Sequence, residues 1–224
     1  MFTKLPKWVE IGAFCLTAIA GAINAIGLLG FQHQAVSHLT GTSTLLGLAL
    51  VNLDMSGSMH LFLILLSFLA GAALSGVMIK NTALKLGHSY SVALLIEGML
   101  LIWAIIFLHG ASNIGHLLAS AACGLQNGMV STYSGATIRT THVSGIFTDL
   151  GTMLGAKLRG HALDARRARL YLILITGFIA GGSVGAYGFE QLSFTALAIP
   201  AGAAMLLAAV NSAFIHMHKP DGLQ

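Results

Sequence analysis

Apolar residues gather along this chain in long runs separated by short polar ones, and the run lengths predict membrane-crossing helices. About 20 predominantly apolar residues are needed to cross roughly 30 Å of hydrocarbon. Six runs meet that need: about 9–30, 60–80, 91–109, 114–132, 170–188 and 193–215. The first follows Lys4 and Lys7, as a signal peptide's apolar segment would. It is too long for such a segment and no small-residue cleavage site follows, so it reads as a retained span. Two further runs, 38–53 (HLTGTSTLLGLALVNL) and 142–158 (HVSGIFTDLGTMLGAKL), open on polar residues and are rich in Thr, Ser and Gly. Sixteen helical residues reach only about 24 Å. Each is a short full span or a half-helix that enters the membrane and stops.

The positions of the basic residues choose between these. With two half-helices there are six spans, and all 11 Lys and Arg fall on one side of the membrane. They are Lys4, Lys7, Lys80, Lys85, Arg139, the cluster Lys157, Arg159, Arg166, Arg167 and Arg169, and Lys219. With two full spans, Lys80, Lys85 and Arg139 would lie outside. Positive charge collects in cytoplasmic loops, which favours six spans with both termini cytoplasmic. The Lys157 to Arg169 cluster reads as a topology anchor at anionic lipid.

Composition agrees. Of 224 residues 56% are hydrophobic and 8% are charged, against about 25% charged in a soluble domain. That excludes nucleic-acid binding, secreted disulfide scaffolds and ordinary cytosolic enzymes, and the net charge of +4 reflects loop placement. Cys15 and Cys123 lie inside apolar runs without CxxC spacing and read as small apolar fillers.

The chain also repeats itself. His38 to Gly47 (HLTGTSTLLG) aligns without gaps to His142 to Gly151 (HVSGIFTDLG), 104 positions later. His38/His142, Gly41/Gly145, Thr44/Thr148, Leu46/Leu150 and Gly47/Gly151 are identical, and Thr40/Ser144 is conservative. Upstream, GAIN (Gly21 to Asn24) matches GLQN (Gly124 to Asn127); downstream, FLAGA (Phe68 to Ala72) matches FIAGG (Phe178 to Gly182). Two units follow, 1–109 and 110–224, each with three spans and a half-helix after the first. An odd span number places the units in opposite orientation, the arrangement of many secondary transporters. The expected fold is an all-α integral membrane protein of six transmembrane helices in two inverted three-helix repeats, each with a re-entrant half-helix.

The G-x-x-N/D pattern of the first span followed by SHLTG (Ser37 to Gly41), and GLQN followed by TTHVSG (Thr140 to Gly145), resemble the YoaK-like family of small bacterial multi-pass membrane proteins. The resemblance covers nearly the whole chain. It departs where the family often has Asp for Asn24, Asn for Thr42 and Thr for Ser144. It implies a membrane fold and the bacterial inner (plasma) membrane, and as a domain of unknown function it brings no substrate.

The chemistry concentrates at the two half-helix starts. Ser37, His38 and Thr40 open the first; Thr140, Thr141, His142 and Ser144 open the second. Ser and Thr cap helices by accepting from free N–H groups, and the N–H groups left over attract anions. Gly41 and Gly145 would let a ligand approach the backbone, and Arg139 adds a fixed positive charge. Inverted units would aim both starts at one pocket near the bilayer midplane. The amides Asn24, Gln126 and Asn127 either line that pocket or brace the half-helices. Asp149 and Glu97 are acidic groups at membrane depth, able to carry a coupling proton or to pair structurally. Gly177, Gly181 and Gly185 form a small-residue face for packing within the chain or in a homodimer.

The sequence carries no P-loop, GxSxG or dinucleotide fingerprint, and its ten histidines show no metal-ligand spacing. The expectation is a small-solute transporter or channel for an anion or carboxylate-bearing metabolite, with no cofactor and no enzymatic activity. Its alternative is a non-transporting membrane scaffold.

Overall fold

The computed structural model describes residues 7–30, 36–79, 87–133 and 139–217. Lys4, Lys80, Lys85 and Lys219, used above to orient the chain, lie outside the described residues. The helices are α1 (Lys7–Gly30), α2 (Leu39–Val51), α3 (Met55–Met78), α4 (His88–His109), α5 (Ile114–Tyr133), α6 (Val143–Leu158), α7 (Ala165–Leu192) and α8 (Ala198–Met217). A 3-10 turn, Ser193–Leu197, joins the last two, and no strand occurs among the described residues.

Every predicted run is helical, but two boundaries move by five residues. Helices α3 and α7 begin at 55 and 165 rather than at 60 and 170. Aspartates extend them over polar sequence: the Gly57 N–H donates to Asp54 Oδ1 at 2.9 Å, and the Arg167 N–H donates to Asp164 Oδ1 at 3.0 Å. Such a cap is worth about 1 kcal/mol. The run predicted from 193 starts as the 3-10 turn, and α8 proper begins at Ala198.

Four stretches are long and apolar enough to cross a membrane: Lys7–Gly30, Met55–Met78, His88–His109 and Ala165–Met217, the last containing both α7 and α8. Helix α5 is less apolar because Gly115, His116, Ser120, Gly124, Gln126 and Asn127 interrupt it. Large apolar side chains along the helices face outward, with Ile11 63%, Leu69 63% and Leu206 65% exposed. Water would not tolerate apolar surface of that extent; this is a membrane-embedded protein.

The close packing joins helices distant in sequence. Helices α1 and α7 run parallel: Glu10 meets Arg169, Ala18 meets Gly181, and Ala22 meets Gly185. Helices α3 and α5 also run parallel, with His60 on His116, Ile64 on Ser120 and Phe68 on Gly124. Helix α4 is antiparallel to α8, where the Asn211 amide donates to Ser91 Oγ at 2.9 Å. It is antiparallel to α5 as well, where Ala104 and Leu108 lie on Gly115. Helix α2 packs on α3, and α6 on α7.

The repeated motifs meet crosswise in this packing. Gly21 of GAIN lies on the Phe178 carbonyl of FIAGG, and Gly124 of GLQN lies on the Phe68 carbonyl of FLAGA. Gly181 lies on the Ala18 carbonyl as Gly71 lies on that of Ala121. A methyl at any of the four would overlap backbone, so only glycine permits the approach. The face of Gly177, Gly181 and Gly185 is therefore buried against α1 inside the chain.

Candidate functional site

Helix α2 has 13 residues and α6 has 16, about 20 and 24 Å at 1.5 Å per residue. Their starts share one cavity of about 270 Å³. It is lined by Ser37, His38, Leu39 and Thr40 from the first and by Arg139, Thr141, His142 and Ser144 from the second, with Phe68, Asn127 and Ser131 between them. Seven of the predicted polar residues and Asn127 thus meet in one place although the two segments are 104 positions apart in the sequence.

The caps differ from the expected ones. The N-cap positions are held by His38 and His142 rather than by Ser or Thr, and neither makes a side-chain cap hydrogen bond. The backbone bonds begin with the Thr42 N–H donating to the His38 carbonyl and the Ile146 N–H donating to the His142 carbonyl. The first-turn N–H groups before them thus receive no side-chain cap, and the helix dipole favours an anion at both starts. Gly41 and Gly145 do not line the cavity. Each makes room for its own capping ring: a methyl on Gly41 would lie 2.7 Å from His38 Nδ1, and one on Gly145 would overlap the His142 ring. Both histidines are exposed. Arg139 is also exposed and forms no ion pair among the described residues.

The three amides divide. Asn24 braces: its Oδ1 accepts from Ser37 Oγ at 2.8 Å and fixes the approach to α2. Gln126 also braces, fully buried, with Nε2 donating to the Leu16 carbonyl at 2.9 Å and tying α5 to α1. Only Asn127 lines the cavity, and its Oδ1 has no hydrogen-bond partner among the described residues. Ser131 went unread in the sequence; it stands one turn beyond Asn127 on α5, a spacing that places both on one face.

Neither acidic residue reaches the cavity. Asp149 accepts from the Tyr171 hydroxyl at 2.6 Å and lies 3.6 Å from Arg167, so it holds α6 to α7. Glu97 is fully buried in α4, and neither carboxyl oxygen has a hydrogen-bond partner among the described residues. A carboxylate there would need a proton or a cation to offset its desolvation.

A family model described as protein of unknown function (DUF1275) matches residues 12–210. No curated protein and no solved structure matches the chain.

Proposed function

The chain belongs to the DUF1275 family of proteins of unknown function, and from the geometry of its cavity we propose that it is a small-solute transporter or channel for an anion or carboxylate-bearing metabolite. One observation carries the reading: two helix starts without side-chain caps share a cavity with an arginine that has no carboxylate partner among the described residues. Two dipole ends of the same sign beside a fixed cation repel one another unless an anion lies between them. The hydroxyls of Thr40, Thr141 and Ser144 add donors that reorient to suit a bound oxygen. Asn127 offers both a donor and an acceptor, which suits an anion bearing a hydroxyl or carrying a proton.

The same proposal gives the chain six spans in two inverted units. Parallel pairing of α1 with α7 and of α3 with α5, together with antiparallel α4 and α8, fits α1, α4 and α7 running one way and α3, α5 and α8 the other. Helices α2 and α6 are then half-helices entering from opposite faces, with the cavity near the midplane. The basic cluster between α6 and α7 falls on the side of both termini, which positive-inside bias makes cytoplasmic, in a bacterial inner membrane. Glu97 is the better placed of the two acidic residues to carry a coupling proton, since Asp149 already has partners. Reporter fusions within 81–90 should report the cytoplasm; an external signal there would overturn this topology.

Flux tests the function. Purified protein in liposomes should pass one or more small anions from a panel of phosphate, sulfate, acetate and hydroxy acids. The double variant Thr40→Val, Ser144→Val removes one hydroxyl at each helix start, keeping the shape at Thr40 and adding one branch carbon at Ser144. It should lower flux more than either single change, about thirtyfold for two neutral hydrogen bonds at roughly 1 kcal/mol each. Wild-type flux in the double variant would remove the cavity from the pathway. Capture of a protein partner without any flux would make the chain a scaffold instead.

A further inference from the structure

The two units carry matched glycine contacts at the α1–α7 and α3–α5 crossings but differ where α5 meets α4 and α1 meets α8. Gly12 of α1 and Gly115 of α5 stand at the same distance, nine and nine residues, before Gly21 and Gly124 of the matched motifs. Met205-Leu206-Leu207 of α8 repeats Met99-Leu100-Leu101 of α4, which sets Val210 and Phe214 against Ala104 and Leu108. On the α5 side this interface is shut: a methyl on Gly115 would meet the Leu108 side chain and the Ala104 carbonyl. On the α1 side it is open. No described residue lies within 4 Å of a methyl built on Gly12. Gly12 instead faces a nearly apolar cavity of about 280 Å³ walled by Trp8, Leu16, Val210 and Phe214 among others.

A second asymmetry falls the same way. Asn24 and Asn127 occupy matched motif positions, and Ser37 and Thr141 precede the matched histidines. Asn24 is bonded to Ser37, whereas Asn127 Oδ1, beside Thr141 in the polar cavity, has no hydrogen-bond partner among the described residues. The chain thus packs one interface shut and the other open at glycines of equal position, with the bulkier Val210 and Phe214 on the open side and Ala104 and Leu108 on the shut one. An exchange of the two would use equivalent positions with the units' roles reversed.

We infer that the structure holds one of two conformations, and that in the other α1 closes on α8 at Gly12 while α5 parts from α4 at Gly115. The inference rests on the two-unit arrangement proposed above and supplies the movement that would expose the shared polar cavity to each side in turn. Lipid tails are as apolar as the walls of the gap, so neither opening nor closing it transfers apolar surface into water. The movement is a rocking of packed helices around a fixed site, the general means of alternating access.

Disulfide trapping in native membranes tests this without any solute. With Cys15 and Cys123 replaced by Ala, two pairs are introduced together: Gly12→Cys with Phe214→Cys, and Leu108→Cys with Gly115→Cys. A disulfide forms only when the Cα atoms come within about 7 Å. The expected result is that both bridges form across the population and never in one molecule, so locking the first abolishes the second. Val210→Cys offers a second partner for Gly12→Cys if the Phe214 variant does not accumulate. Failure of Gly12→Cys to bridge to either partner, while its thiol still reacts with a membrane-permeant maleimide, would overturn the inference, as would both bridges in one molecule. Exclusive bridging without flux of any anion would leave the movement standing and sink the transport reading alone.

Discussion

Arg139→Gln should weaken anion binding to the protein by roughly 10- to 100-fold, the equivalent of about 1.5–3 kcal/mol for a hydrogen bond to a charged group. Arg139 is the one guanidinium lining the polar cavity, and it forms no ion pair among the described residues. Its charge is therefore uncommitted, unlike that of Arg167, which faces Asp149, or Arg169, which bridges to Glu10 at 2.8 Å. Arg139→Lys should recover part of the affinity, because it restores the charge but not the two-pronged geometry that suits a carboxylate or phosphate. Titration of the detergent-solubilised protein with the anion that shows flux, by calorimetry or thermal shift, reads both variants. Equal affinity in wild type and Arg139→Gln would mean that the arginine serves the lipid headgroups and not the site.

Gly181→Ala and Gly71→Ala should each cost about 3 kcal/mol or more of stability and lower the yield of monodisperse protein. In both, the new methyl would overlap a backbone carbonyl, of Ala18 and Ala121 respectively. Backbone cannot rotate away as a side chain can, so the whole helix must retreat and the packing along it loosens, at the upper end of the usual cost of overpacking. Gly47→Ala and Gly155→Ala are the controls. Nothing lies within 4 Å of a methyl at either, and alanine favours a helix over glycine by up to about 1 kcal/mol. These two should leave stability unchanged or raise it. Thermal unfolding followed in detergent separates the sets, and equal behaviour would show that the four-glycine crossing is looser than described.

Much of the fold was readable because a bilayer imposes length and apolarity on every span. What escaped was decided by single polar contacts. The early starts of α3 and α7 depend on Asp54 and Asp164, which carry no signal in a hydropathy profile but do stand at matching positions of the two units. The shared cavity was legible as a place because polar identities between the repeated segments crowd at His38 and His142. Its detail was not. Gln126 and Asn127 are neighbours in sequence, yet about 100° separates successive residues of a helix, so one turns to the Leu16 carbonyl and the other to the cavity. Which does which follows from the rotation of α5 against α1 and α3. The role of Gly41 and Gly145 likewise depends on a rotamer, the histidine ring folded back over the first turn.

The crosswise pairing of helices also has a consequence for synthesis. Helix α1 leaves the ribosome first, but Glu10 finds Arg169 only 159 residues later. At about 5–20 residues per second that is a wait of roughly 10–30 s, during which the Ala18, Gly21 and Ala22 face of α1 lies against lipid. Helix α3 waits a shorter time for α5, with His60 and His116 only 56 residues apart. The α3–α5 pair therefore assembles first, and α1 is held in the bilayer by its own apolarity until α7 arrives to complete the bundle. A chain that stalls between those two events carries one finished helix pair and one uncovered small-residue face on α1, and that intermediate is what membrane quality control would meet.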